Sequence, residues 1–212
     1  LAISRDVTDI KQAQLQESLE RGVLESIAGN APLSDILNEI CSLAEFAAEG
    51  VGRCSVFVVS GPQDQELQVA AAPGLAMLAG RRIAREHALQ ESEKLTELLK
   101  LTGSAAAVRV PLDGPDGLPL GVFVFWVTGP GSKGEAELTA KLESSANLAS
   151  IALARSSHLQ RLRNKQDRLQ AISRAAPVGI YRVGASGAVV YSDERLGKST
   201  GLTAAQRQGD GW

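Results

Sequence analysis

Ala105-Ala106-Ala107-Val108-Arg109-Val110-Pro111-Leu112, Asp113-Gly114-Pro115-Asp116-Gly117 and Leu118-Pro119-Leu120-Gly121-Val122-Phe123-Val124-Phe125-Trp126-Val127 read together as a β-hairpin. Ala105 to Leu112 and Leu120 to Val127 are apolar and rich in β-branched and aromatic residues, and the five residues from Asp113 to Gly117 hold two Gly, two Asp and a Pro, the composition of a turn. Alternation with period two puts Phe123 and Phe125 on one face of the second strand and Trp126 on the other. The phenylalanines are expected in the core; Trp126 lines a cavity or packs on neighbouring helices. The apolar run from Leu118 to Val127 is about half the roughly 20 residues a membrane helix requires.

Upstream of the hairpin, Cys54 to Val59 is a short strand closed by Ser60-Gly61-Pro62, and Leu67 to Ala72 is its hairpin partner. Two helices precede this pair. In the first, about Asp9 to Ala28, Ile10, Leu15, Leu19, Val23 and Ile27 form an apolar stripe, spaced four apart from Leu15. Pro32 suits the first turn of the second, which buries Leu33, Ile36, Leu37, Ile40, Cys41, Ala44 and Ala47 and stops at Gly50. Between the hairpins, Ile83 to Leu101 reads as one helix, with charged residues on one side of Leu95, Leu98 and Leu99.

After Gly129-Pro130-Gly131 a helical pattern runs from Glu135 to about Ser173. Its first half presents Leu138, Leu142, Ala146, Ala149 and Ala152 to the sheet. Its second half presents Leu159, Leu162, Gln166 and Leu169, spaced three, four and three: a short heptad seam with one polar core position. About 38 residues at 1.5 Å each span some 57 Å, so the helix is expected to leave the domain and meet a partner helix.

The order helix, hairpin, helix, hairpin, long helix resembles a GAF domain, an α+β fold with an antiparallel sheet and the first and last helices on one face. The resemblance is carried by Gly22-Val23-Leu24-Glu25-Ser26-Ile27-Ala28 with Ala31-Pro32-Leu33 and Ile36-Leu37, by Cys54 to Val59 with Ala70-Ala71-Ala72-Pro73-Gly74-Leu75, and by Asp116-Gly117, Leu120 to Phe123 and Asn147 to Arg155. One departure concerns the ligand pocket. Where related domains carry a longer Gly-rich segment containing Ser-Cys-Gly, only Ala76 to about Glu86 is present, so a shortened pocket wall is expected.

The two ends resemble parts of PAS domains. Ile3-Ser4-Arg5-Asp6-Val7-Thr8-Asp9-Ile10-Lys11-Gln12-Ala13 is similar to a last strand passing through an Asp/Thr turn into a signalling helix. Ala175 to Val183, Gly187 to Ser192 and Thr200-Gly201-Leu202-Thr203 are similar to the opening of another PAS domain. The expected division is the end of an upstream PAS domain (1–10), a signalling helix (11–21), a GAF-like domain (22–155), a coiled-coil linker helix (156–172) and the start of a second PAS domain (173–212).

A net charge of −2 gives no global field to recruit nucleic acid or an anionic membrane. Arg155, Arg161, Arg163, Lys165 and Arg168 lack the aromatic stacking groups of a nucleic-acid site and read as charged flanks of the seam. Cys41 and Cys54 lack the adjacent histidine of a bilin-attachment site and read as buried free thiols. His87 and His158 stand outside any Cys/His/Asp cluster, so no metal is expected, and no cofactor. Arg81, Arg82, Arg85 and His87 are either a solvated face or a small-anion site beside the cavity. No catalytic constellation is visible within these residues. Together these observations imply a cytoplasmic, homodimeric sensory input and relay segment. The resemblance implies an output in cyclic-di-GMP synthesis or hydrolysis, with the input module of a sensor histidine kinase, or a GAF domain binding a small anion or nucleotide, as alternatives.

Overall fold

The strand pair at the centre of the sheet is not sequential. In the computed structural model, which describes residues 2–59, 65–128, 135–175, 179–203 and 205–209, β1 (Gly52–Val59) lies between β2 (Glu66–Ala71) and β5 (Pro119–Val127). The edges are β3 (Arg82–Ala84), beside β2, and β4 (Ala106–Asp113), beside β5. Every pairing is antiparallel. The helices are α1 (Ala2–Ala28), α2 (Leu33–Ala47), α3 (Arg85–Leu89), α4 (Glu93–Thr102) and α5 (Glu135–Ala175).

Both faces of β5 are covered, which explains its unbroken apolar run. Phe123, Phe125 and Val127 join Cys54, Val56, Val108 and Leu112 in a core capped by α1, α2 and α5. Val122, Val124 and Trp126 join Phe57, Leu67, Leu78, Ile83, Leu95 and Leu98 in a second core capped by α3 and α4. The expected inward face of α5, Leu138, Leu142, Ala146, Ala149 and Ala152, is buried in the first core. Of the α1 stripe, only Val23 and Ile27 are buried there; Ile10, Leu15 and Leu19 are exposed.

Two expectations are corrected. Ile3 to Thr8 is helical, not a strand end and turn, because no Gly or Pro interrupts α1 before Gly22. Ile83 to Leu101 is not one helix. Ile83 pairs with Leu67 in an edge strand, and the chain straightens again at Gln90 and Ser92 between α3 and α4. Ser92 makes that break: its hydroxyl donates to the His87 carbonyl (3.1 Å) and accepts from the Leu95 N–H (3.2 Å), capping α4.

The chain divides into two units, Leu1–Ser157 and His158–Trp212. The second contains the last part of α5, a hairpin of β6 (Tyr181–Val183) and β7 (Val189–Ser192), and α6 (Glu194–Thr200). Asp193 organises it. Its carboxylate accepts from Leu196 N–H, capping α6, and from Ile180 N–H, and these bonds, that to Leu196 foremost, hold its carboxyl below the usual range. Tyr181, Val183, Val190 and Tyr191 are exposed, the apolar strand surface expected of this segment. Ala176 to Val178, within the motif quoted for its opening, lie outside the described residues.

Backbone proximity fixes the β1–β5 pair. A Cβ on Gly121 would stand 2.1 Å from the Phe57 carbonyl oxygen, and one on Gly52 2.2 Å from that of Trp126. Neither neighbour is a flexible side-chain end, so the strands themselves would have to part. Gly121→Ala is therefore expected to lower unfolding free energy by about 1–3 kcal/mol, measured as a reduced urea midpoint at unchanged slope; an unchanged midpoint would refute the argument.

Candidate functional site

Three places could carry function: the outer face of the helices, the interior between α2 and β1, and the sheet face under α3 and α4.

On the outer face, α1 and α5 are joined at two levels. Ser144 of α5 donates to the Glu20 carboxylate of α1 (3.1 Å). Eleven residues further along α5, the Arg155 guanidinium donates to the Ala28 carbonyl at the end of α1 (3.2 Å) and to the Asn30 side-chain oxygen (2.9 Å). Helices end with unpaired carbonyls, and a cation there complements the helix dipole. Asn30 turns the chain in the left-handed region, at φ 58°, a conformation asparagine tolerates better than most residues. Both contacts advance in the same order along the two chains, so α1 and α5 run in the same direction.

Beside α1 lies an open groove of about 480 Å³ between it and α2, lined by Leu19, Gly22, Val23, Ser26, Ser42 and Leu43 among others. The expected seam residues of α5 fall in the second unit. Leu159 is half-buried, Gln166 is exposed, and Leu162 and Leu169 are 48% and 68% exposed. His158 is exposed beside them.

In the interior, Glu45 of α2 straps the start of β1, accepting from Cys54 N–H (2.9 Å) and from the Arg53 guanidinium (3.2 Å). Both thiols are fully buried. Burial first, and then the neighbouring Cys41 thiol, push the Cys54 thiol well up from its ordinary value.

Under α3 and α4, the sheet face is filled by side chains. Trp126 is fully buried there and donates from its indole nitrogen to the Ser55 hydroxyl (2.7 Å), so its polar atom is satisfied inside the core. Arg81, Arg82, Arg85 and His87 are not gathered into one anion site. Arg81 donates to the Met77 carbonyl, and Glu97, whose carboxyl is held low mainly by Lys94, also feels its charge. Arg82 pairs with Glu66 across the strands (3.8 Å), Arg85 is half-buried, and His87 lies 3.9 Å from Glu86. Another cation, which the sequence reading passed over, lies on this sheet face. Arg109 on β4 is directly opposite buried Val124, and its Nη2 donates to Glu91 in the α3–α4 link (2.8 Å). The signal was a single cation inside an apolar strand.

Among the described residues no group of three or more His, Cys, Asp or Glu could hold a metal ion. No described helix is long and apolar enough to cross a membrane.

No protein-family model and no curated protein matches the sequence. Solved structures do. The phycoerythrobilin-bound GAF domain from a cyanobacterial phytochrome is 19% identical at a TM-score of 0.53, covering 69% of this chain and 97% of that one. The GAF domain of the Acinetobacter phosphoenolpyruvate-protein phosphotransferase is 17% identical at a TM-score of 0.50, with coverages of 68% and 95%. Over the part of the chain that they cover, the fold is that of a GAF domain.

The buried thiol gives a pH test. Cys54 is harder to ionise in the folded protein than in the unfolded chain. Its contribution to stability is therefore complete below the unfolded range, about 8.5, and is lost as pH rises toward the folded value. The stability advantage of the native protein over Cys54→Ala should shrink by up to about 1.4 kcal/mol per pH unit above about pH 9. Denaturant titrations of both proteins from neutral to alkaline pH check this, and a constant difference would contradict it.

Proposed function

We propose that this chain is a sensory input and relay segment of a bacterial signalling protein, working as a homodimer through α1 and α5. The observation that carries the reading is the Arg155 contact with the end of α1. It ties the helix that leads into the domain to the helix that leads out, so a displacement of one is felt by the other without passing through the sheet.

The proposed dimer uses apolar positions that a single chain leaves uncovered. Ile10, Leu15 and Leu19 of α1 are exposed, as are Leu162 and Leu169 of α5. A parallel pairing of α5 with its copy would bury Leu159, Leu162 and Leu169 and place Gln166 against Gln166. A polar residue at one core position specifies register at a cost in stability. Rotation or a register change of that seam is the two-state element of the proposal. The exposed apolar residues of β6 and β7 support the reading of residues 173–212 as part of a larger PAS-like sheet that receives the signal. An output in cyclic-di-GMP turnover is the parent activity we favour; an input module of a sensor histidine kinase would use the same mechanics.

A light-driven version of the reading is disfavoured by the cysteines. The phytochrome neighbour binds phycoerythrobilin, but both thiols here are sealed in the core, where covalent attachment has no access.

Gln166→Leu should tighten the dimer at least about tenfold, equivalent to about 1.4 kcal/mol, in a light-scattering dilution series of the whole chain. A native chain that stays monomeric throughout, or an unchanged dimer affinity, would sink the relay as proposed.

A further inference from the structure

We infer that the open groove between α1 and α2 receives residues 159–172 of α5 from a second copy of this chain. The inference rests on the proposed relay only in that both bury the same leucines. It gives that stripe a second place to dock, in competition with the seam.

The groove, of about 480 Å³, is lined by the buried Val23 and Leu43 and by Leu19, which is 40% exposed. On its α1 side Ser18, Gly22 and Ser26 recur every fourth residue, so short side chains or none stand between an incoming helix and the α1 backbone. A Cβ on Gly22 would meet nothing within 4 Å. Glycine inside a helix is destabilising, and no described neighbour requires one here. The space above it suits the close approach of a second helix.

Charge selects the occupant. From Ile10 to Glu49, seven acidic residues stand against two basic ones. Glu39 lines the groove itself, exposed and without an ionic partner among the described residues. From Leu159 to Ile172, Arg161, Arg163, Lys165 and Arg168 stand against Asp167 alone. A second copy of α1 would bring Glu17 and Glu25 toward this acidic surface and is the poorer fit.

The dimensions agree with that choice. Ser18 to Ser26 spans about 12 Å of α1 at 1.5 Å per residue. Leu162 and Leu169, both exposed, are one heptad apart, about 10.5 Å along their helix. Both therefore fit within the groove at once. At 3.6 residues per turn, Arg161, Lys165 and Arg168 lie along one edge of the leucine stripe, where Glu39 would accept from them. An amphipathic helix anchored by spaced apolar residues in a groove is a recurrent mode of recognition. Leucines docked there are withheld from the seam, so the groove would hold the relay open.

The test is fluorescence anisotropy of a labelled synthetic peptide, Ser156 to Ile172, titrated with the whole chain. The native chain should bind it, and raising salt from about 0.05 to 0.5 M should weaken binding, because ions screen exposed charges. Gly22→Leu fills the groove and improves the helix propensity of α1, so its melting temperature should not fall. It should bind the peptide at least tenfold more weakly, as should Glu39→Lys, a surface change that leaves the core untouched. A peptide carrying Arg161→Glu, Arg163→Glu, Lys165→Glu and Arg168→Glu should not bind. No binding by the native chain at about 100 μM, a level that reveals dissociation constants in the micromolar range, would overturn the inference. So would equal binding of the charge-reversed peptide. Binding unchanged in both Gly22→Leu and Glu39→Lys would place the peptide on the α5 seam, which removes the groove site and leaves the relay standing. The relay fails separately, through the dimer affinity of Gln166→Leu.

Discussion

The structure depends on the pairing of β1 with β5. These strands are 67 residues apart at their starts, Gly52 and Pro119, and their register runs without a shift from Gly52 opposite Val127 to Val58 opposite Gly121. Each terminal position of the ladder is a glycine because the partner backbone occupies the space of a Cβ. Alternation along both strands then sorts the side chains into two cores. Cys54 and Val56, with Phe123, Phe125 and Val127, face the long helices; Phe57, with Val122, Val124 and Trp126, faces the short ones. A slip of one residue would exchange the two sets.

That arrangement governs where function can reside. A sheet covered on both faces offers little free surface, and the fully buried Trp126 with its Ser55 partner occupies the face where a ligand would otherwise be held. What is left is at the margins. The helical layer carries uncovered apolar residues on α1. The edge strand β4 carries a guanidinium whose pairing is completed on one nitrogen only. The expected arginine cluster is spread out by the local geometry: Arg81 precedes β3, Arg82 opens that edge strand, and Arg85 opens the short helix that follows it.

The parts legible in the sequence are those where one period persists long enough to exclude the other. The closing hairpin, α2, β1 and the inner face of α5 needed only alternation or a three-to-four spacing; in α2 Ile36, Leu37, Ile40, Cys41 and Ala44 are buried as expected, Leu33 and Ala47 are half-buried, and Leu43 is buried besides. Ile83 to Leu101 was misread because a three-residue edge strand and a five-residue helix are each too short to declare a period, and the Ser92 cap that divides them was overlooked. Ile3 to Thr8 was misread from likeness to a turn, although no local residue forbids the helix. Arg109 escaped notice because a lone charge on a strand is usually solvated, and only the placement of α3 and the Glu91 link covers it. Arg155 was assigned to the charged flank of the seam; that it reaches Ala28 at the end of α1, 127 residues earlier in the sequence, depends on the packing of the two helices.

The same packing limits how a signal could travel. Val23 and Ile27 of α1 and Ala149, Ala152 and Leu153 of α5 belong to one core. Packed cores resist continuous deformation and change by discrete repacking. A small shift of α1 would thus leave the buried residues in place until Arg155 released or re-formed its bonds to Ala28 and Asn30. The exposed half of α1, from Ile10 to Leu19, has no such restraint from the first core. Motion could accumulate there freely and would meet resistance only where Glu20 and Ser144 join the two helices. In the relay proposed above, the hydrogen-bonded levels, rather than the sheet, would set the threshold at which movement of one helix becomes movement of the other.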